Sequence, residues 1–208
     1  MDTDSTAIDF WFSIGSTYSY LSVSRLPEVQ VRSGVRFRWR PFNVRAIMIA
    51  MNNIPFATKP VKAAYMWRDI ERRAAGYGLP FAGRPPYPIK ALERANRIAL
   101  VAAQEDWVVA FAQHTYRKWF LRHEDPVDER SIVHDLEALG QNPARVIALA
   151  DAPQTIAALD AQTRAARALG IFGSPTFVVG DEIFWGDDRL ADALAWHRDR
   201  GGRSAGGA

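Results

Sequence analysis

The chain has 208 residues, 48% hydrophobic and 12% aromatic, enough to bury the core of one domain or of one domain with a large insertion, which excludes a disordered protein. Its 26 basic and 23 acidic residues are interspersed and leave a net charge of +3, a balance that favours small anions over nucleic acid. It contains no cysteine, so disulfides, thiolate metal ligands and a protein-borne dithiol couple are all excluded.

The opening residues MDTDSTAIDF lack a basic region followed by an apolar run, and no stretch approaches the roughly 18 uncharged apolar residues of a membrane span. A cytoplasmic protein without a membrane partner is expected. Ile8 to Ile14 reads as a buried strand, Thr17 to about Arg32 as a helix, and Val35 to Phe42 as a second strand. In that second strand Arg36, Arg38 and Arg40 alternate with Phe37, Trp39 and Pro41. This strand, helix, strand unit has the size of a parallel crossover.

From Asn43 to about Leu169 the spacing is helical, with breaks at Ile54-Pro55, Gly78 to Pro80, Gly83 to Pro88, Asp125-Pro126 and Gly140 to Pro143. Strand character returns in Thr176 to Val179 and Glu182 to Trp185, around the hairpin signal Gly180-Asp181. A helix from Asp187 to about Arg198 follows, and Gly201 to Ala208 reads as a disordered tail. The expected class is α/β, a small mixed sheet carrying a large inserted α-helical domain. Residues 1–43 and 166–200 form the two halves of the sheet domain, 44–165 the insertion and 201–208 the tail.

Three segments can carry chemistry. Gly15-Ser16-Thr17 places a hydroxyl at a strand-to-helix junction, where a serine ordinarily caps the helix. It is also where a thioredoxin-like protein keeps its reactive cysteine, so a thiol handled at Ser16 has to arrive on a small molecule. Gly173-Ser174-Pro175-Thr176 puts a proline just before a strand. In thioredoxin-like folds a cis-proline loop faces the active-site helix and offers the preceding residue's backbone to an extended thiol peptide, a short strand addition. Gly186-Asp187-Asp188 starts the last helix with two carboxylates, which compensate its dipole or receive an amino group.

With DFWFSIGSTYSYL at 9–21, NNIPFATKPVKAAYMWRDIERRA at 52–74 and GIFGSPTFVVGDEIFWGDDRL at 170–190 in this order, the chain resembles the 2-hydroxychromene-2-carboxylate isomerases and kappa-class glutathione transferases. These are DsbA-like thioredoxin folds with a helical insertion, and the resemblance spans about residues 8–197. It implies glutathione as cofactor and Ser16 as the residue that activates it, with Asn53 and Lys62 as further contacts. It also implies that the Ser174 backbone beside Pro175 pairs with the cysteinyl unit, that Asp187 and Asp188 hold the γ-glutamyl end, and that the protein is a homodimer. Two positions depart from the family pattern: Thr17 stands where a proline is usual, and Ser13 where an aspartate is common. Thr17 either loosens the helix start or competes as a second hydroxyl.

A thiol titrating near 8.5 needs roughly 2.7 kcal/mol of preferential thiolate stabilisation to reach about 6.5. A hydroxyl donor to a charged acceptor supplies about 1.5 to 3 kcal/mol and a partly buried helix N-terminus up to about 2, so a serine acting as donor suffices without a base. None of His114, His123, His134 and His197 lies in a motif that aims it at Ser16 or in a zinc-ligand spacing, which argues against a hydrolase and a metal site.

The isomerase reaction of the family rotates about a conjugated double bond, which reversible thiolate addition makes temporarily single. Its aromatic carboxylate substrate calls for flat walls and a cation. Trp11, Tyr18, Tyr65, Trp67 and Tyr87 are the candidate walls; Arg84, Lys62, Arg45 and Lys90 are the candidate cations. Conjugation of glutathione to electrophiles and a non-catalytic thioredoxin-like binding module are the competing readings.

Overall fold

Apart from Asp9, β1 (Ala7–Phe12) is apolar and buried on both faces, the pattern of a strand covered on both sides, and it lies between β2 and β3 in a four-stranded sheet of order β2-β1-β3-β4. It runs parallel to β2 (Arg36–Pro41) and antiparallel to β3 (Thr176–Val179), which forms a hairpin with β4 (Glu182–Trp185). The computed structural model describes residues 6–53, 56, 59–89, 92–126, 128 and 131–205. Ile54, Pro55 and Lys90 lie outside these, as do the final residues 206–208.

The period of two in β1 separates the two faces. Phe10 and Phe12 point to one side, stacked at 5.4 Å and met edge-on by Trp39. Trp11 points to the other, against Phe42, Val44, Ile47, Ala166, Ile171 and Val178. Arg38 and Arg40, also alternating, converge on the Asp9 carboxylate at 2.7 and 3.2 Å, which explains the arginines of β2 as partners of a neighbouring strand.

The helices are α1 (Ser19–Ser33), α2 (Val44–Ala50), α3 (Pro60–Gly76), α4 (Leu92–Gln104), α5 (Val108–Arg122), α6 (Ile132–Ala138), α7 (Pro143–Asp151), α8 (Pro153–Ala168) and α9 (Leu190–Ala205). Local signals set several ends: Gly34 closes α1 in the left-handed region at φ +71°, and the Asn43 side chain caps α2 by accepting from Ala46 N–H. The hairpin lies where the sequence puts it, and no strand interrupts the helical middle among the described residues. Phe10, Phe12 and Leu21 share one core with Trp67, Ile98, Phe111 and Trp119, so the inserted helices are packed into the sheet domain.

Two boundaries differ from expectation. α1 begins at Ser19 instead of Thr17, with Tyr18 at its cap position and no side-chain cap. The last helix is preceded by a 3-10 turn, Asp187–Arg189, and α9 runs on to Ala205. Residues 201–205, expected in the tail, are therefore helical, because a helix already nucleated extends through Gly201 and Gly202 at a cost of only about 1 kcal/mol each. No helix among the described residues is long and apolar enough to cross a membrane.

Candidate functional site

Between β1 and α1 the chain makes a turn closed by the Ser16 N–H on the Ser13 carbonyl at 3.0 Å. Gly15 sits in it at φ +101°, a conformation that favours glycine, and a Cβ there would also lie 2.5 Å from Leu92 Cδ1, which would have to move aside. The turn is clamped from the inserted helices. Asn96 of α4 accepts the Ile14 N–H at 2.8 Å and donates to the Ile14 carbonyl at 3.2 Å. Tyr116 of α5 donates to the carbonyls of both Ser13 and Ser16, each at 3.0 Å.

This turn faces the loop before β3. The Ser174-Pro175 bond is cis, and the half-buried Ser16 hydroxyl donates to the Ser174 carbonyl at 2.6 Å. The Ser174 side chain is turned inward, accepting from Ser13 N–H at 3.0 Å and lying 2.9 Å from the Ser19 hydroxyl. Only the Ser174 backbone is thus left to a ligand, and its N–H has no partner among the described residues. The N–H groups of Thr17, Tyr18 and Ser19 are likewise unpaired there, the donors that a helix start offers to an anion.

Thr17 is buried with its hydroxyl on the Met66 sulfur at 3.0 Å, so it does not compete for a thiolate at Ser16. The first turn of α1 is tight, with bonds from Tyr20 N–H to Thr17 and from Leu21 N–H to Tyr18, both at 3.2 Å.

The two carboxylates before α9 differ. Asp187 is buried, taking Arg25 at 2.7 Å and the Ser22 hydroxyl at 2.8 Å on one oxygen while the other has no partner. Asp188 has a 40% exposed side chain, with Arg189 at 3.3 Å and Arg73 at 3.9 Å. The pair expected to act together is therefore one internal ion pair and one accessible acid.

The remaining predicted residues fall into three groups. Trp67, Tyr87 and Arg84 come together: Trp67 meets Tyr87 edge-on at 5.7 Å, and the Arg84 guanidinium lies 5.8 Å from the Trp67 ring centre. Ile89, in the same loop as Tyr87, reaches the Gly15 turn, which brings this aromatic cluster alongside it. Burial raises the Tyr87 phenol above its ordinary value, opposed by the positive charge of Arg45.

Tyr18 donates to Asp69 at 3.0 Å, and burial, with Asp69 adding to it, pushes its phenol well above the ordinary range. Asn53, Lys62 and Tyr65 are exposed, Lys62 without an ion pair among the described residues and Tyr65 at 62%. Trp11, at 3% exposure in the core on the far face of the sheet, is no wall of the Ser16 cleft; its place in the alternation of β1 turns it away. Tyr116 and Asn96 were not singled out from sequence, since both read as part of an apolar helix stripe.

A family model described as a DSBA-like thioredoxin domain matches residues 7–195. The chain belongs to the DSBA-like thioredoxin family. Within it, the chain is 30% identical over 185 residues to the 2-hydroxychromene-2-carboxylate isomerase of Sphingobium xenophagum, covering 88% of this chain and 93% of the relative. It is 26% identical over 204 residues to glutathione S-transferase kappa 1 of Caenorhabditis elegans, covering 90% of each. A solved 2-hydroxychromene-2-carboxylate isomerase superimposes with a TM-score of 0.84 at 25% identity, over 96% of this chain and 98% of that one. This DSBA-like protein therefore sits with the isomerase and kappa transferase branch, as its three motifs imply.

Proposed function

We propose that the protein is a glutathione-dependent isomerase of an aromatic enone acid, of the kind that interconverts a hydroxychromene carboxylate and an open hydroxybenzylidene pyruvate, with Ser16 as hydrogen-bond donor to the glutathione thiolate. The observation that carries the reading is the Ser16 hydroxyl, 2.6 Å from the carbonyl that precedes cis-Pro175, in a chain without cysteine.

The residues present suit glutathione. An unpaired Ser174 N–H and a Ser174 carbonyl with one acceptor position left beside the Ser16 hydroxyl match the two backbone bonds of a cysteinyl unit laid along the loop. The open N–H groups at the start of α1 and the Ser16 hydroxyl converge on an anionic sulfur. Asp188, with Arg73 and Arg189 beside it, suits a zwitterionic γ-glutamyl end, and exposed Lys62 a carboxylate.

When bound, glutathione supplies a nucleophilic sulfur whose reversible addition frees the conjugated bond to rotate, and it is returned unchanged. Ser16 holds its proton throughout and gives up no covalent bond. Tyr87 and Arg84 provide an aromatic ring and a cation for an aromatic acid, while Trp67, 6% exposed, supports Tyr87 from the core and is not itself a wall. We include homodimerisation in the reading, because Val61 and Tyr65 present exposed apolar surface one turn apart on α3.

Conjugation by the same thiolate is the second reading, favoured by the kappa 1 relative. Recovery of all free glutathione at full substrate turnover selects isomerisation; its stoichiometric consumption selects conjugation. Calorimetry and kinetics on Ser16→Ala test the shared core of both: loss of a donor to a charged acceptor, about 1.5 to 3 kcal/mol, predicts a roughly 10- to 100-fold lower turnover near pH 6.5 with glutathione still bound. Absence of glutathione binding by the unaltered protein would overturn both readings.

A further inference from the structure

The turn that presents Ser16 is held by a residue a hundred positions away in the chain. In an α-helix begun one turn earlier, the Ser16 carbonyl would receive the Tyr20 N–H, but Tyr20 bonds to Thr17 instead. The Ser16 carbonyl is satisfied by the Tyr116 phenol, which divides its proton between this oxygen and that of Ser13. Tyr116 is 1% exposed, so loss of its hydroxyl leaves a carbonyl partnerless in a region closed to water. Ile14, inside the same turn, is held at both backbone groups by Asn96, which is fully buried.

We propose that Tyr116 is the positioning residue for Ser16: its shared hydrogen bond keeps the Ser13 to Ser16 turn in the one conformation from which the Ser16 hydroxyl reaches the thiol site, with Asn96 as the second support. The thiol part of this proposal rests on the reading of Ser16 given above; the turn geometry does not. Without the phenol, the donor that regular helix geometry offers to the Ser16 carbonyl is the Tyr20 N–H. Accepting it winds α1 back toward Ser16 and carries the hydroxyl away from Ser174. The helical insertion, which contributes no atom to the Ser16 to Ser174 contact, thereby governs its geometry. Burial holds the Tyr116 phenol well above its ordinary range, so it remains a donor at every pH at which the protein is studied.

The test compares Tyr116→Phe with Tyr20→Phe, which removes a similarly buried tyrosine hydroxyl, bonded to the Pro80 carbonyl, without touching the turn. Amide exchange of Ser16, measured without glutathione, is expected to accelerate about tenfold or more in Tyr116→Phe relative to Tyr20→Phe, after correction for any change in global stability. With glutathione bound, the midpoint of thiolate formation, read by ultraviolet absorbance, is expected to rise by about half to one pH unit, with kcat falling more than KM rises. Equal Ser16 protection in the two variants would overturn the proposal, whatever glutathione does. Failure of the unaltered protein to bind glutathione would overturn the functional reading and leave the exchange measurement to decide the positioning role. Asn96→Ala, which frees the same turn from α4, repeats both measurements if Tyr116→Phe does not fold.

Discussion

The two sides of the proposed cleft are built differently. On the serine side, the Ser13 to Ser16 turn and the loop at Pro175 are held by the eight hydrogen bonds already described, every one involving a buried partner. On the α3 side, Asn53, Lys62 and Tyr65 stand exposed, and the polar ends of Asn53 and Lys62 have no partner among the described residues. In the proposed function, the chemistry that turns on a precisely placed hydroxyl sits on the fixed side, where little of the backbone has to reorganise. The charge proposed to hold a ligand tail sits on the exposed side, where a long flexible cation is adequate.

The sharpest way to break this contrast is Gly15→Ala. A side chain at φ +101° costs about 1 to 3 kcal/mol, and a Cβ 2.5 Å from the Leu92 terminal methyl also obliges that side chain to shift. Denaturant unfolding is expected to show a loss of about 1 to 3 kcal/mol, and glutathione binding should fall with it. An unchanged midpoint would mean that the turn is not fixed at all.

A second test probes the helix that carries Tyr116. Lys118 and His114, on the same helix, bond to Asp135 of α6. Burial alone raises the Asp135 carboxyl, but the hydrogen bonds and charges of Lys118 and His114 outweigh it and hold it below the ordinary value. Stabilisation from this group is therefore complete above the unfolded carboxyl value, about 3.9, and is lost as pH falls through the lower folded value. Asp135→Asn should flatten the acid limb of the stability curve below about pH 4. At neutral pH it should cost about 3 kcal/mol by leaving Lys118 buried and unpaired, as measured by unfolding at a series of pH values.

The smallest effect belongs to the exposed side. Lys62→Ala should raise the glutathione KM roughly two- to fivefold at low salt and almost not at all at about 0.5 M salt, with kcat and stability unchanged. A large fall in kcat would instead place Lys62 on the chemical side of the division.

Much of the sheet was legible because it depends on local signals. Gly180-Asp181 fixes the hairpin, and the apolar run of β1 announces a buried strand. The helix start at Ser16-Thr17 misled because a hydroxyl residue at such a junction reads as a cap, whereas the Thr17 hydroxyl goes to Met66, a tertiary partner. Asp187 misled for a similar reason: its burial depends on Arg25 and Ser22, more than 160 residues earlier. The clamp by Tyr116 and Asn96 was invisible, since in a stripe such as Phe111, Ala112, Thr115, Tyr116 and Trp119 the spacing reports a buried face and nothing about what a phenol touches there.

Before any thiol arrives, the Ser16 hydroxyl and the Ser174 carbonyl already satisfy each other. On the proposed reading, a cysteinyl amide shares that carbonyl while the sulfur on the same residue takes the hydroxyl, so a ligand has to offer both groups together to open the latch. The same reading implies that a simple thiol lacking the neighbouring amide is activated less than glutathione, and that an S-substituted glutathione, whose thioether is a poor acceptor, is held more weakly than the free thiol.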